Sequence, residues 1–188
     1  MEKLEQNREL CFSILSEFTK SESLIKHALA VETCVRAYAI KFNEDEIFWG
    51  NVALLHDFDY EMFPTSEVHP FKGNEILKEK GFSDLFRRAI MSHADYTNVT
   101  RDSLLEKVLF ACDELAGFLT AVAYVRPSKS IEEVEVKSVM KKMKDKAFAR
   151  AVNRDDIKNG ADGIGIPLED HIQFCINAMK SKKDVLGL

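Results

Sequence analysis

One long apolar stretch, from Leu104 to about Tyr124, most constrains how this chain can fold. With helical spacing, its apolar side chains occupy nearly the whole circumference of the helix, and such a helix is buried on all sides. Asp113 lies in the middle of the stretch. Because burying an unpaired carboxylate is unfavourable, we expect Asp113 either to form a salt bridge with a basic side chain or to bind a metal ion.

The other apolar residues also recur with helical spacing, and no segment of useful length alternates as a strand does. Capping-box patterns or single N-cap residues predict where several helices begin: Thr19-x-x-Glu22, Asn43-x-x-Glu46, Ser83, Thr100 or Asp102, Ser130-x-x-Glu133 and Asn153. The predicted helices span about residues 3–18, 21–42, 46–56, 70–80, 83–93, 104–124, 134–143, 147–152, 155–160 and 168–179, and a further short helix starts at Ser130. Residues 161–167 are predicted to be a loop, and residues 180–188 a frayed tail.

These predictions describe an all-α protein with one domain over residues 1–188. Its core is a helical bundle of about residues 21–125, and about residues 126–188 form a short C-terminal helical extension. The apolar fraction of 46% and the charged fraction of 30% are typical of a globular protein. The four cysteines are widely spaced in apolar helical contexts, which favours buried thiols over disulfides or zinc ligands.

No apolar run approaches the roughly 20 residues that span a bilayer, and the charged N-terminus has no signal-peptide core. We therefore expect a cytoplasmic protein without a membrane partner. The net charge is −5, yet Lys137 to Arg154 contains seven basic residues and only one acid, Asp145. An acidic chain with one basic segment does not have the pattern of a nucleic-acid binder, so this segment predicts a local anion site. A homodimer is one possible assembly.

Four of the five histidines combine with two aspartates in a distinctive order: His27, His56-Asp57, His69, His93 and Asp113. Imidazole and carboxylate groups are ordinary ligands of transition-metal ions. The local sequences are LIKHALAVE, LLHDFD, HPFKGNEIL, AIMSHAD and ACDELAG. Together they resemble the HD superfamily of metal-dependent phosphohydrolases, whose minimal signature is H…HD…D. The two additional histidines are similar to those of the two-metal HDIG and HD-GYP branches, although Phe58-Asp59-Tyr60 stands where the HDIG branch has Ile-Gly-Lys.

The resemblance covers about residues 24–125 and implies an HD-domain helical bundle. It also implies one or two divalent transition-metal ions, either Fe, Mn, Ni, Co or Zn. The candidate metal ligands are His27, His56, Asp57, His69, His93 and Asp113. A first ion would use His27, His56, Asp57 and Asp113. A second would use His69 and His93 with Asp57 as a bridge; alternatively, these two histidines contact only the substrate phosphate.

The candidate catalytic residues are Asp57 and two acids of the loop after it, Asp59 and Glu61, with Asp95 as a further candidate. Each loop acid could equally be a solvated side chain. The candidate substrate-binding residues are His69, His93, Arg126, Lys129, Lys141 and Lys144. For the basic residues the alternative is a solvated helix face. Glu114 is interpreted as a structural or ligand-supporting acid, and His171 as a structural or surface residue.

The resulting hypothesis is a metal-dependent phosphohydrolase that acts on a small phosphorylated metabolite, with nucleotides as the preferred class. Metal ions would activate the water that attacks phosphorus. Two alternatives remain open from the sequence. One is an oxygenase with two iron ions in an HD scaffold, and the other is a non-catalytic module that binds a nucleotide or a metal ion.

Overall fold

The computed structural model describes residues 4–188, and helices form the whole of its regular structure. Within these residues there are ten α-helices, three short 3-10 helices and no strand, which confirms the predicted all-α class. The α-helices are α1 (Arg8–Phe18), α2 (Glu22–Phe42), α3 (Glu46–Leu54), α4 (Phe71–Glu79), α5 (Asp84–Met91), α6 (Leu104–Tyr124), α7 (Val136–Met143), α8 (Arg154–Gly163), α9 (Leu168–Lys180) and α10 (Lys183–Leu186).

Helix α6 is the central element, and its bounds agree with the predicted ones. It packs against α2, α5, α7, α8 and α9, and thirteen of its side chains are buried. The helix begins after Ser103, whose side chain and that of Glu106 form a reciprocal capping box. Neither Thr100 nor Asp102 is the N-cap, because the Glu106 carboxylate accepts hydrogen bonds from the backbone N–H groups of Asp102 and Ser103.

Two of the predicted capping boxes do not form. The Thr19 hydroxyl donates a hydrogen bond to the carbonyl of Phe58, and Ser21 is the residue that precedes α2. Asn43 has a left-handed backbone and ends α2, while the Asp45 side chain caps α3. In both cases the capping pattern identified the right boundary but the wrong residue, since a polar side chain near a boundary can serve either helix or neither.

The C-terminal region packs on the same hydrophobic core as the rest of the chain. Helix α8 lies on α6, and α9 contacts both α2 and α6. The predicted helix over residues 147–152 is a series of turns, and α8 extends to Gly163 into the predicted loop. The tail also differs from its prediction, because Lys183–Leu186 is helical and Leu186 is buried in the core.

All four cysteines are free and fully buried, as predicted. His171 is also fully buried, which excludes the surface alternative. Its Nδ1 lies 2.6 Å from the Tyr38 hydroxyl, and its Nε2 lies 2.9 Å from the carbonyl oxygen of Ala111. His171 therefore joins α9 to α2 and α6 as a structural residue.

Candidate metal centre

Five separate segments bring the six predicted ligands together. His27 comes from α2 and Asp113 from α6, while the His56-Asp57 pair lies in the turns directly after α3, which ends at Leu54. His69 precedes α4, and His93 follows α5. The first and last of these residues are 86 positions apart. Tertiary packing assembles the cluster, because α2 and α5 pack on α6 and α3 packs on both α2 and α5.

His27, His56 and Asp113 form the first of two donor groups. The Nε2 atoms of His27 and His56 lie 3.0 and 3.3 Å from the same oxygen, Oδ1 of Asp113. Oδ2 of Asp57 adjoins this group at 3.4 Å from Nε2 of His56. Two imidazoles and two carboxylates therefore converge on one point.

The second donor group consists of Asp57, His69 and His93. Oδ1 of Asp57 lies 3.1 Å from Nε2 of His69 and 3.3 Å from Nε2 of His93, and these two nitrogens are 3.3 Å apart. Since Oδ2 of Asp57 faces the first group, the two oxygens of one carboxylate face different groups.

Three of the histidines are oriented by contacts of Nδ1, the ring nitrogen that does not face the cluster. Nδ1 of His56 and of His93 each lies 2.7 Å from a backbone carbonyl, and Nδ1 of His69 lies 2.8 Å from Oδ1 of Asp59. A proton on Nδ1 satisfies each of these contacts and leaves the Nε2 lone pair directed at the cluster. Metal-binding histidines are typically held in this way.

The spacing of the donor atoms fits a cation. Ligand atoms about 2.0–2.2 Å from an ion lie roughly 3.0–3.5 Å from one another. The distances from Oδ1 of Asp113 to its two imidazole nitrogens and from Oδ1 of Asp57 to its two fall in that interval, while Oδ2 of Asp57 lies farther from Nε2 of His27, at 3.9 Å. Nε2 of His56 is buried and has no hydrogen-bond partner, although buried polar atoms are rarely left unsatisfied. These groups could therefore hold metal ions, and their N/O donors suit transition metals.

The electrostatics of the cluster favour positive charge at its centre. Burial lowers the pKa of His56, but the charges of Asp57 and Asp113 outweigh it and hold this pKa well above its usual range. Burial similarly opposes ionisation of Asp57, yet the charge of His56 and hydrogen bonds from His69 and His93 hold its pKa well below the usual range. Protons or metal cations could supply this positive charge.

The cluster opens into a cavity of about 450 Å³ with a strongly acidic lining. Besides the ligands, its walls come from the loop after Asp57, the segment after His93, and helices α6 and α8. These walls are formed by Tyr60, Ala94, Asp95, Tyr96, Phe110, Glu114, Asn153 and Asp156. Five carboxyl groups line the cavity, and no lysine or arginine of residues 4–188 does so.

Neither loop acid predicted to be catalytic lines this cavity. Asp59 is fully buried behind His69, where its two oxygens face Nδ1 of His69 and the backbone N–H of Gly73. Glu61 accepts hydrogen bonds from the backbone N–H groups of Lys20 and Ser21, the two residues directly before α2. Asp95 does line the cavity, but it is exposed and paired with Arg101 at 2.6 Å.

The basic side chains predicted to bind the substrate also lie away from the acidic cavity. Arg126 lies two residues beyond the end of α6, and that end is about 16 Å along the helix from Asp113. Arg126 and Lys141 line a different cavity, and Lys141 and Lys144 line a third. Together with Lys129, these residues are absent from the lining of the acidic cavity. The structure therefore separates the predicted substrate-binding cations from the predicted metal ligands.

Two further acids line the cavity: Glu114, which was predicted only to be a structural or ligand-supporting acid, and Asp156, which was not among the predicted site residues. Glu114 follows Asp113 on α6, and burial together with the Asp113 charge raises the pKa of Glu114 to about 7. Its position beside a ligand was the only sequence signal for it. Asp156 comes from α8, whose packing on α6 the sequence did not predict.

The buried contact of Asp59 leads to a specific prediction. Asp59→Asn should weaken metal binding at the His69–His93 group by about 10–100-fold, the usual effect of losing a partner that orients a ligand. The group of His27, His56 and Asp113 should keep its ion. Titration of metal ions into the protein in a calorimeter would measure the two affinities. Asp84→Asn, at an exposed position, is the matched control. Equal affinities in Asp59→Asn and the wild type would exclude an orienting role.

Comparisons of the chain with protein-family models, with curated proteins and with solved structures found no match. Among residues 4–188, no helix is both long enough and apolar enough to cross a lipid bilayer. The function must therefore be inferred from the chemistry of the chain's own residues.

Proposed function

We propose that this chain is an HD-type phosphohydrolase that uses metal ions to cleave a small phosphate monoester. The main support is the arrangement of the donor atoms, in which Asp57 is shared between two groups and Nε2 of His56 is buried without a partner. The order of these ligands along the chain is that of the H…HD…H…H…D signature.

In this proposal, His27, His56, Asp113 and Asp57 hold one divalent transition-metal ion, and His69, His93 and Asp57 hold a second. Such ions would supply a Lewis acid for a phosphoryl oxygen and lower the pKa of water. The chain itself fixes the positions of the donors through the carbonyls and the Asp59 carboxylate that contact the histidine Nδ1 atoms. Burial of His56 and His69 keeps bulk water from competing for these nitrogens.

The lining of the cavity narrows the substrate class. Because no lysine or arginine of the described residues lines it, nothing there would neutralise a polyphosphate chain beyond the group held by metal ions. Asp156 offers carboxylate oxygens to sugar hydroxyls, and the partly exposed rings of Tyr60 and Tyr96 offer faces for a base. Nucleoside monophosphates are therefore the first class to test.

Glu114 is our candidate for proton transfer to the leaving oxygen, because its side chain lines the same cavity as the donor groups. Glu114→Gln keeps the shape of the side chain and removes its ability to give or accept that proton. We expect kcat to fall by about 100-fold while bound metal stays unchanged. Steady-state kinetics with metal analysis would test this. A reduced metal content with normal kcat per ion would instead assign Glu114 to metal binding.

One observation favours a second candidate, a diiron oxygenase. An acidic cavity without basic side chains suits an uncharged polyhydroxy substrate at least as well as a phosphate ester. Oxygen uptake by the iron-loaded protein on addition of a polyol panel would support this alternative. No uptake, together with phosphate release from monoesters, would exclude it.

The deciding experiment for hydrolysis is a panel assay on protein loaded separately with Mn, Fe, Co, Ni and Zn. The panel contains nucleoside monophosphates, nucleoside triphosphates, sugar phosphates and p-nitrophenyl phosphate, with phosphate release as the readout. We expect turnover of monophosphates in preference to triphosphates. Tight nucleotide binding without turnover under every metal would support a non-catalytic binding module and contradict the proposed activity.

A further inference from the structure

A second charged cavity, of about 350 Å³, lies where α6 ends and α7 packs beside it. Its charged lining consists of Arg126, Lys141, Lys142 and Asp145, and Val122 of α6 contributes apolar surface. Three cations thus face one carboxylate. This balance is opposite to that of the metal-centre cavity, where carboxylates are the only ionised side chains besides the histidines.

Arg126 is the most informative residue of this second cavity. Its Nε atom is buried and has no hydrogen-bond partner. A guanidinium carries five N–H donors in a planar fork that matches the oxygens of a phosphate group. A buried donor left unpaired is unfavourable. The terminal N–H groups of this guanidinium also have no acceptor among residues 4–188, and they are the groups with which an anion in the cavity would pair.

The two lysines supply positive charge that the fold does not use for pairing. Ion pairs of the C-terminal region join other side chains, such as Lys158 with Asp155 and Lys183 with Glu132. Within residues 4–188, neither Lys141 nor Lys142 has a carboxylate oxygen within 4.0 Å of its ammonium group. Lys142 is half-buried and lies over the Phe148 ring at 4.5 Å, which restricts where its ammonium can point.

This cavity is separate from the metal centre. Asp113 lies about three helical turns before the end of α6, a distance of about 16 Å, and Arg126 lies two residues beyond that end. The two cavities share no lining residue. A small metabolite bound at one would therefore not reach the other.

We propose that Arg126, Lys141 and Lys142 form a binding site, separate from the metal centre, for the phosphate groups of a small soluble metabolite. The arginine fork binds one phosphate through paired hydrogen bonds, and the lysines act as point charges on the same or an adjoining phosphate. Because the ligand joins the end of α6 to α7, its binding stabilises the folded chain. The site is independent of the hydrolase proposal.

The test uses inorganic pyrophosphate as the probe and the full chain freed of metal by a chelator. Calorimetry should show one saturable site, and pyrophosphate should raise the melting temperature. Arg126→Gln and Lys142→Gln should each weaken binding by about tenfold or more. The control is Lys146→Gln, which removes the same charge from the same basic segment but does not line the cavity; its affinity should stay within about twofold of the wild type.

Three outcomes would overturn the proposal. The first is no saturable binding to the wild type. The second is equal weakening by Lys146→Gln and Arg126→Gln, which would indicate general electrostatic attraction. The third is co-sedimentation with anionic phospholipid vesicles that pyrophosphate does not compete with, which would assign the cations to a membrane surface. If Arg126→Gln does not fold, Lys141→Gln provides the same comparison, because the Lys141 side chain is exposed.

Discussion

Asp57→Asn should remove nearly all activity and most of the bound metal while leaving the helical fold in place. Asp57 contributes one oxygen to each donor group, at 3.4 Å from Nε2 of His56 and 3.1 Å from Nε2 of His69. The amide is neutral and has one oxygen, so it cannot replace both contacts. Loss of an outer partner alone costs about 10–100-fold, so loss of a shared ligand should lower kcat/KM by more than about 1000-fold.

The measurement combines metal analysis, phosphate-release kinetics and circular dichroism on the same preparations. The control is Asp84→Asn, which makes the same carboxylate-to-amide change at the exposed start of α5. His93→Ala distinguishes the two groups, because it should lower the stoichiometry from two ions to one. Full metal occupancy in Asp57→Asn would contradict the shared-ligand arrangement, and with it the proposed hydrolase.

The central helix could be predicted because it has a strong local cause, whereas the six candidate ligands were chosen because their order resembles the H…HD…D signature. A 21-residue apolar helix has to be buried, and the charge of Asp113 within it then needs a partner. Spacing alone therefore indicated that Asp113 would face other polar groups. The order of the histidines and the His56-Asp57 pair supplied those groups.

The roles of Asp59 and Glu61 could not be predicted from their proximity to Asp57. Both carboxylates accept hydrogen bonds from backbone N–H groups that lie far away in the sequence, at Gly73 for Asp59 and at Lys20 and Ser21 for Glu61. A loop acid is attracted to whichever unpaired donors the tertiary fold brings near it. Local spacing contains no information about those donors.

The charge of the basic segment, Lys137 to Arg154, likewise did not predict where its side chains would lie in the fold. Its charge count predicted an anion site, and two of its cations, Lys141 and Lys142, do line one cavity together with Arg126. The count did not determine where that cavity would lie relative to Asp113. The direction in which the chain continues after α6 decides this, and it carries Arg126 and α7 away from the histidines.

The close contact between α6 and α8 could not be predicted from the sequence either. This contact determines the position of one wall of the metal-centre cavity. A Cβ atom built on Gly160 would lie 2.5 Å from the Cα of Ala111, a backbone atom that cannot move aside alone. Asn153 and Asp156 of the α8 region line the metal-centre cavity. Any side chain at position 160 must therefore displace α8 relative to the helix that carries Asp113.

We expect Gly160→Leu to destabilise the protein by about 3 kcal/mol or more, since overpacking a rigid contact typically costs about 1–3 kcal/mol. For a domain of this size, the melting temperature should fall by roughly 6–12 °C.

Gly160→Ala should also destabilise the protein, although alanine favours a helix over glycine by about 1 kcal/mol. The matched control is Gly163→Ala on the same helix, where an added Cβ would meet nothing within 4 Å and stability should be unchanged or slightly higher. Thermal melts of the three metal-free variants would measure the differences, and equal effects of alanine at positions 160 and 163 would contradict the close α6–α8 contact.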